Sequence, residues 1–125
     1  MTAEFENFLN FHFESIQNRN LEQYASTLFQ SPKTSLIMLN GEEVQGYENI
    51  VNFHKKWFQD PDWSLTFSKR KVVVEGSTAV TLLDIHYKDK DENGKDVEFS
   101  YMLNIVFIKT ESEGWKLLYD QNIKA

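Results

Sequence analysis

The chain has 125 residues, no cysteine and a formal net charge of −6, a length that fits one domain able to bury a core without disulfides or a structural metal. The missing thiols exclude cysteine catalysis, thiolate metal sites and disulfide stapling, and they fit a reducing cytoplasm. The acidic balance opposes attraction to nucleic-acid phosphates or anionic lipid, and no segment approaches the length of a membrane span.

The N-terminal run Met1-Thr2-Ala3-Glu4-Phe5-Glu6 lacks the cationic and apolar regions of a secretory leader. The expected location is therefore the cytoplasm, with neither nucleic acid nor membrane as a partner. Ten Phe, five Tyr and three Trp supply apolar surface for a core and an interface.

Taken in chain order, Phe5, Phe8, Leu9, His12 and Ile16 recur at three- and four-residue spacing, which predicts an amphipathic helix over about 3–17 with His12 in its apolar stripe. A second helix starts after Asn20, whose side chain can cap it while Gln23 reaches back, and runs to Ser31-Pro32. Leu36-Ile37-Met38-Leu39 reads as a short strand ending at Asn40-Gly41. Gly46 introduces a third helix with Ile50, Phe53, His54, Trp57 and Phe58 as its stripe, closed by Asp60-Pro61. Trp57, Phe58 and Trp63 form an aromatic rim or core below that end.

Four strands follow, at about 64–75, 78–90, 96–109 and 115–123. Lys69-Arg70-Lys71, the only basic run, reads as a solvated face or as protection of a sheet edge. Helices gathered ahead of consecutive antiparallel strands predict an α+β fold in which three helices pack on one face of a curved, mainly antiparallel sheet, a shape that makes a pocket.

The pair Asn93-Gly94 is favoured by two-residue hairpins. It places Glu92 opposite Lys95, His86 opposite Tyr101 and Asp84 opposite Leu103. In the last hairpin, Thr110 opposite Trp115 pairs Ile105 with Asp120 and Leu103 with Asn122. One face then carries Val80, Leu82, Asp84, His86, Tyr101, Leu103, Ile105, Phe107, Leu118, Asp120 and Asn122. The other carries Tyr87, Met102, Asn104, Val106, Tyr119 and Gln121 and is too apolar for water, so a homodimer through that face is expected.

The segments Asn20-Leu21-Glu22, Gly46-Tyr47-Glu48-Asn49-Ile50 and Gly114-Trp115-Lys116-Leu117-Leu118, in this order of helices and strands, resemble the nuclear-transport-factor-2-like superfamily, in its SnoaL-like and ketosteroid-isomerase-like branch. The resemblance spans nearly the whole chain. It implies a cone of helices closing over a curved sheet, also called cystatin-like, with a ligand cavity at the open end and pairing through the sheet backs. It also implies that His12 stands where ketosteroid isomerases place an oxyanion-stabilising Tyr, and His54 where a second Tyr bonds to the first. The carboxylate base of those enzymes would fall near Met38 and their protonated Asp in the run 103–105, so their mechanism does not transfer.

The candidate ligand-binding residues are His12, His54, Trp57, Asp84, His86, Tyr101, Leu103, Asp120 and Asn122, and the candidate catalytic groups are His12, His54, Asp84 and Asp120. Each has a plain structural alternative. A His on an apolar helix face is often a core residue bonded to a carbonyl, and His86 with Tyr101 can be a cross-strand pair. Asn122 can serve backbone groups. A buried carboxylate, by contrast, must be paired, hydrogen-bonded or neutralised. No His-x-His or His-Glu-x-x-His spacing, phosphate-cradling glycine loop or Gly-x-Ser-x-Gly occurs, so no metal or cofactor is expected. Three functions stay open: binding of a small, largely apolar molecule, an isomerase, cyclase or dehydratase using a pocket Asp and His, and a dimeric interaction scaffold.

Overall fold

The computed structural model describes residues 3–125; Met1 and Thr2, part of the run read for a leader, lie outside them. The described residues form three helices, α1 (Ala3–Gln17), α2 (Leu21–Ser26) and α3 (Tyr47–Trp57), and six strands, β1 (Ser35–Ile37), β2 (Glu43–Gln45), β3 (Ser64–Glu75), β4 (Thr78–Lys90), β5 (Asp96–Thr110) and β6 (Gly114–Lys124). The strands form one curled sheet in the order β2-β1-β6-β5-β4-β3, antiparallel except where β1 runs parallel to β6. The α+β expectation is met. No helix among the described residues is long and apolar enough to cross a membrane.

Local chemistry explains the helix bounds. Asn20 Oδ1 accepts the backbone N–H of Gln23, the expected N-cap. The helix then ends at Ser26, before the expected Ser31-Pro32, because the chain turns aside to pair with the last strand: Leu117 N–H donates to Thr27 O at 2.7 Å and Phe29 N–H to Leu117 O at 2.9 Å. Gly46 begins α3 with φ +93°, a conformation that a side chain makes costly. The short strand ends at Ile37, two residues before the expected end, and β2 is a strand that the polar run Glu43-Val44-Gln45 did not signal.

The core gathers Phe5, Leu9 and Phe13 of α1, Tyr24 and Leu28, Ile50 of α3, and Trp63, Leu83, Ile85, Ile105, Phe107 and Leu117. Two of the expected registers are corrected. Asp84 pairs with Met102, Ile85 with Tyr101 and His86 with Ser100, one residue away from the expected pairing. The cause is Asp91, whose side chain accepts the N–H groups of Asn93 and Lys95, both at 2.9 Å, while Gly94 N–H returns to Asp91 O. Gly94 has positive φ and Asn93 does not. The loop is thus three residues with one left-handed glycine, not a two-residue Asn-Gly turn.

Because side chains alternate, this slip turns the whole of β4 over. Ala79, Thr81, Leu83 and Ile85 are buried under the helices, and Val80, Leu82, Asp84 and His86 face outward. Tyr87, expected on the outer face, points into the concave side. The last hairpin also closes one residue early, with Thr110 opposite Gly114, but a bulge at Leu118 restores the count, so Ile105 meets Asp120 and Leu103 meets Asn122 as expected. The residue turned inward below that bulge is Leu117 rather than Leu118. The basic run lies on β3, an edge strand, where a bulge separates Lys69 from Lys71; charge and bulge together discourage edge pairing.

Candidate functional site

The concave face of the sheet and the inner faces of the helices enclose a cavity of about 560 Å³. Phe13 and Ile16 of α1 and Phe53, His54 and Trp57 of α3 form its roof. Its floor comes from Leu36, Leu65, Ile85, Leu103, Tyr87, Phe99 and Tyr101, and Asp120 and Asn122 of β6 close one side.

The aromatic wall is built at the end of α3. Trp57 stacks on Trp63 with ring centroids 4.1 Å apart, and its indole N–H donates to Tyr87 Oη at 3.3 Å. The Tyr87 hydroxyl in turn donates to Asp89 at 2.9 Å. Burial pushes the Tyr87 phenol up to about 12, the Trp57 N–H opposing the rise and the carboxylates of Asp89 and Asp60 adding to it. Trp63 is pinned from below by the Arg19 guanidinium, 4.0 Å over its ring, which also donates to the carbonyls of Asp60 and Trp63.

Asp120 is the inward carboxyl. It lies on a strand paired on both sides, opposite Leu36 and Ile105, is 7% exposed, and its Oδ1 is buried without a hydrogen-bond partner. Desolvation pushes this carboxyl up to about 7 from its ordinary 3.8, because charge is costly where water is excluded. Its field in turn raises the phenols of Tyr24 and Tyr101 beyond the effect of their burial.

The two helical histidines are both buried and both neutral at physiological pH. His12 is held at about 3 by burial and by the nearby His54, and His54 at about 4 by burial. His54 Nδ1–H donates to Ile50 O at 2.9 Å, so its Nε2 carries a lone pair. The Thr27 hydroxyl donates to Tyr24 O at 2.6 Å, so at 2.8 Å it must accept from His12 Nδ1–H, leaving His12 Nε2 as an acceptor with no partner. The rings do not bond to each other. Tyr24 packs against both, stacked on His54 at 4.0 Å and 5.5 Å from His12.

The structure therefore brings His54, Trp57, Tyr101, Leu103, Asp120 and Asn122 to one cavity. His12 sits behind it, in the core between Tyr24, Phe13 and Phe107. Asp84 and His86 are displaced to the outer face by the register slip. There Asp84 takes a two-pronged ion pair from Arg70, at 2.6 and 3.1 Å, and His86 Nδ1 meets Ser100 Oγ at 3.2 Å with Glu98 3.4 Å from its Nε2. Met38 lines the cavity, so where the resemblance puts a carboxylate base there is a thioether that takes no proton. Among the described residues no cluster of His, Asp or Glu could hold a metal ion.

Sequence reasoning missed Tyr24, which links the two histidines, and Tyr87 and Phe99, which wall the cavity. Tyr24 left a faint signal as the one aromatic in a short helix. Tyr87 and Phe99 became legible only with the true hairpin register.

A curled mixed sheet roofed by three helices over an internal cavity is the nuclear-transport-factor-2-like, or cystatin-like, class of fold. Residues 6–122 match the model of the SnoaL-like domain, and the chain belongs to that family. It is similar in structure to a nuclear transport factor 2-like superfamily protein from Salmonella enterica serovar Typhimurium, at TM-score 0.81 and 21% identity over 97% of this chain and 88% of that one. A ketosteroid isomerase-like protein from Erwinia carotovora aligns at TM-score 0.79 and 10% identity over 95% and 92% of the two chains. A Nostoc punctiforme domain of unknown function with a cystatin-like fold aligns at 0.78 and 18%, over 100% and 80%. No curated protein matches the sequence.

Proposed function

We propose that the protein binds a small, largely apolar molecule in this cavity, with Asp120, His54, Tyr101 and Asn122 as its polar contacts. One observation carries the reading: about 560 Å³ of aliphatic and aromatic space is lined on one side by the carboxyl of Asp120, a residue only 7% exposed. Pockets of such size and lining, with a few polar groups to fix orientation, are typical of small-molecule sites. The cytoplasm is the setting proposed for it, in keeping with the absence of cysteine.

The test is thermal unfolding with a panel of neutral aromatic and alicyclic molecules. A true ligand at a hundredfold excess over its Kd stabilises the native state by about 2.7 kcal/mol. Leu103→Trp, which fills the cavity from its floor, should abolish that gain. A panel without a single stabilising molecule, or a Leu103→Trp variant that responds like the wild type, defeats the reading.

A second reading, an isomerase or dehydratase, is favoured by one property of Asp120. A carboxyl poised at about 7 in a shielded cavity can exchange a proton near neutrality, and the similar Erwinia carotovora protein is described as ketosteroid isomerase-like. Here Asp120 would carry the proton, and the neutral His54, with only a lone pair free, would accept rather than donate.

The protein is further proposed to act as a homodimer through the outer sheet face. That face exposes Val73 and Val80, at 45% and 42%, beside half-buried Leu82, Met102, Val106 and Tyr119. Such a contiguous apolar surface is unusual for a monomer. Val106→Glu should shift sedimentation from dimer to monomer at micromolar concentration; a wild type that sediments as a monomer removes the proposal.

A further inference from the structure

We propose that the cavity selects a cationic amine with an apolar, preferably aromatic, body, its ammonium group hydrogen-bonded to Asp120. The inference rests on the cavity being a ligand site and adds the chemistry of the ligand's head.

Most polar atoms available in the cavity are acceptors. His54 spends its N–H on Ile50 O, so it offers a lone pair, while Asn122 gives one of its two amide N–H groups to Ile37 O at 2.8 Å and keeps the other beside its own carbonyl oxygen. The indole N–H of Trp57 and the hydroxyl of Tyr87 are already donated within the wall. Asp120 adds a carboxyl that lines the cavity. The Tyr101 hydroxyl can rotate to give or accept. A head with several N–H donors and no acceptor is the complement, and an ammonium has three.

The charge balance points the same way. Tyr24 of α2 and Tyr101 of β5 lie within the field of Asp120, and His54 of α3 lines the same cavity, with His12 of α1 near His54. Both histidines are held neutral, at about 3 and about 4, so no cation in the interior balances the carboxylate. Lys56 also lines the cavity, but its side chain is exposed to solvent, and Asp60 lines the same side. Around the mouth Tyr87, Phe99 and Tyr101 stand with ring centroids 5.1 to 6.5 Å apart, faces to which a desolvated cation is attracted. The chain's net charge of −6 favours the approach of a cation from a distance. An acid or a phosphate would meet mostly acceptors, a carboxyl and no interior cation.

The test compares tryptamine with its alcohol counterpart tryptophol by titration calorimetry on the wild type and on Asp120→Asn. The wild type at about pH 8 should bind tryptamine about tenfold tighter than tryptophol, as a desolvated ion pair allows. Near pH 5.5 Asp120 holds its proton while the amine keeps its charge, so the preference should shrink to within about threefold. Asp120→Asn should show no preference at either pH, with thermal stability at least equal to the wild type as evidence that it folds. Equal binding of both compounds by the wild type, or a preference retained by Asp120→Asn, overturns the amine inference and leaves the cavity reading intact. Failure of both compounds overturns it too, and the cavity reading falls with it only if the neutral panel also gives no stabilising molecule.

Discussion

Replacing Asp120 by Asn should leave stability near pH 4 almost unchanged and raise it above pH 7 by as much as the order of 4 kcal/mol. The native carboxyl keeps its proton up to about 7 while the unfolded one loses it near 3.8. Between those values the native carboxyl binds more protons than the unfolded one, so its contribution to stability falls as pH rises, and above 7 the whole cost of a buried, unpaired carboxylate is present. The histidines act in the opposite sense. Their native values are depressed to about 3 and about 4 from 6.5, so the unfolded chain takes up their protons first as the solution is acidified. Stability from this pair is complete above 6.5 and is lost as pH falls toward 4.

Between about pH 4 and 6.5 the two histidines outweigh the single carboxyl, so the wild type should gain stability as pH rises and level off near pH 7. In Asp120→Asn the opposing carboxyl is gone, so the same rise should be about twice as steep and should reach a higher plateau. Urea denaturation at fixed protein concentration from pH 4 to pH 9 measures both slopes. Parallel curves for the two proteins would mean that Asp120 is ionised and well solvated in the native state.

Trp63→Ala should be the most damaging single truncation at the cavity, costing on the order of 3–5 kcal/mol. The ring is 1% exposed, stacks on Trp57, lies 6.3 Å from Tyr87 and carries Arg19 on its other side. Its indole N–H donates to Trp57 O at 3.0 Å, tying the loop after α3 to the end of that helix. Trp57→Ala should cost less, on the order of 1–2 kcal/mol, since one side of its half-buried ring borders the cavity and less apolar surface returns to water. Denaturation midpoints of the two variants give the order. Equal or reversed losses would mean that the wall is held by Trp57 and that Trp63 merely follows it.

The element order and the spans of the four long strands were legible because they rest on local, repeating signals. A stripe at three- and four-residue spacing marks α1 wherever its partners lie, Asn20 caps α2 through a bond three residues away, and alternation marks a strand before its neighbours are known. Such signals need no tertiary information. The short β2 and the early end of α2 carried none, since both exist only through pairing with distant segments.

The site was legible in part, and each part has its cause. His54 and Trp57 were readable from a helix stripe. Asp120 and Asn122 came out on the concave face through two errors that cancel: the last hairpin closes one residue early, and the bulge at Leu118 takes up the difference. Asp84 and His86 had no such compensation. The side chain of Asp91 chose a three-residue loop over the two-residue turn that Asn93-Gly94 favours, and one residue of slip exchanged the two faces of β4. Sequence by itself thus determined the order of the three helices and the four long strands and, away from bulges, which residues share a face within each. Tertiary structure decided which face turns inward, and with it that Asp120, not Asp84, is the carboxyl buried against the cavity. The physical reason is that periodicity is a property of one segment, whereas register depends on a single loop conformation whose alternatives differ by only a few hydrogen bonds.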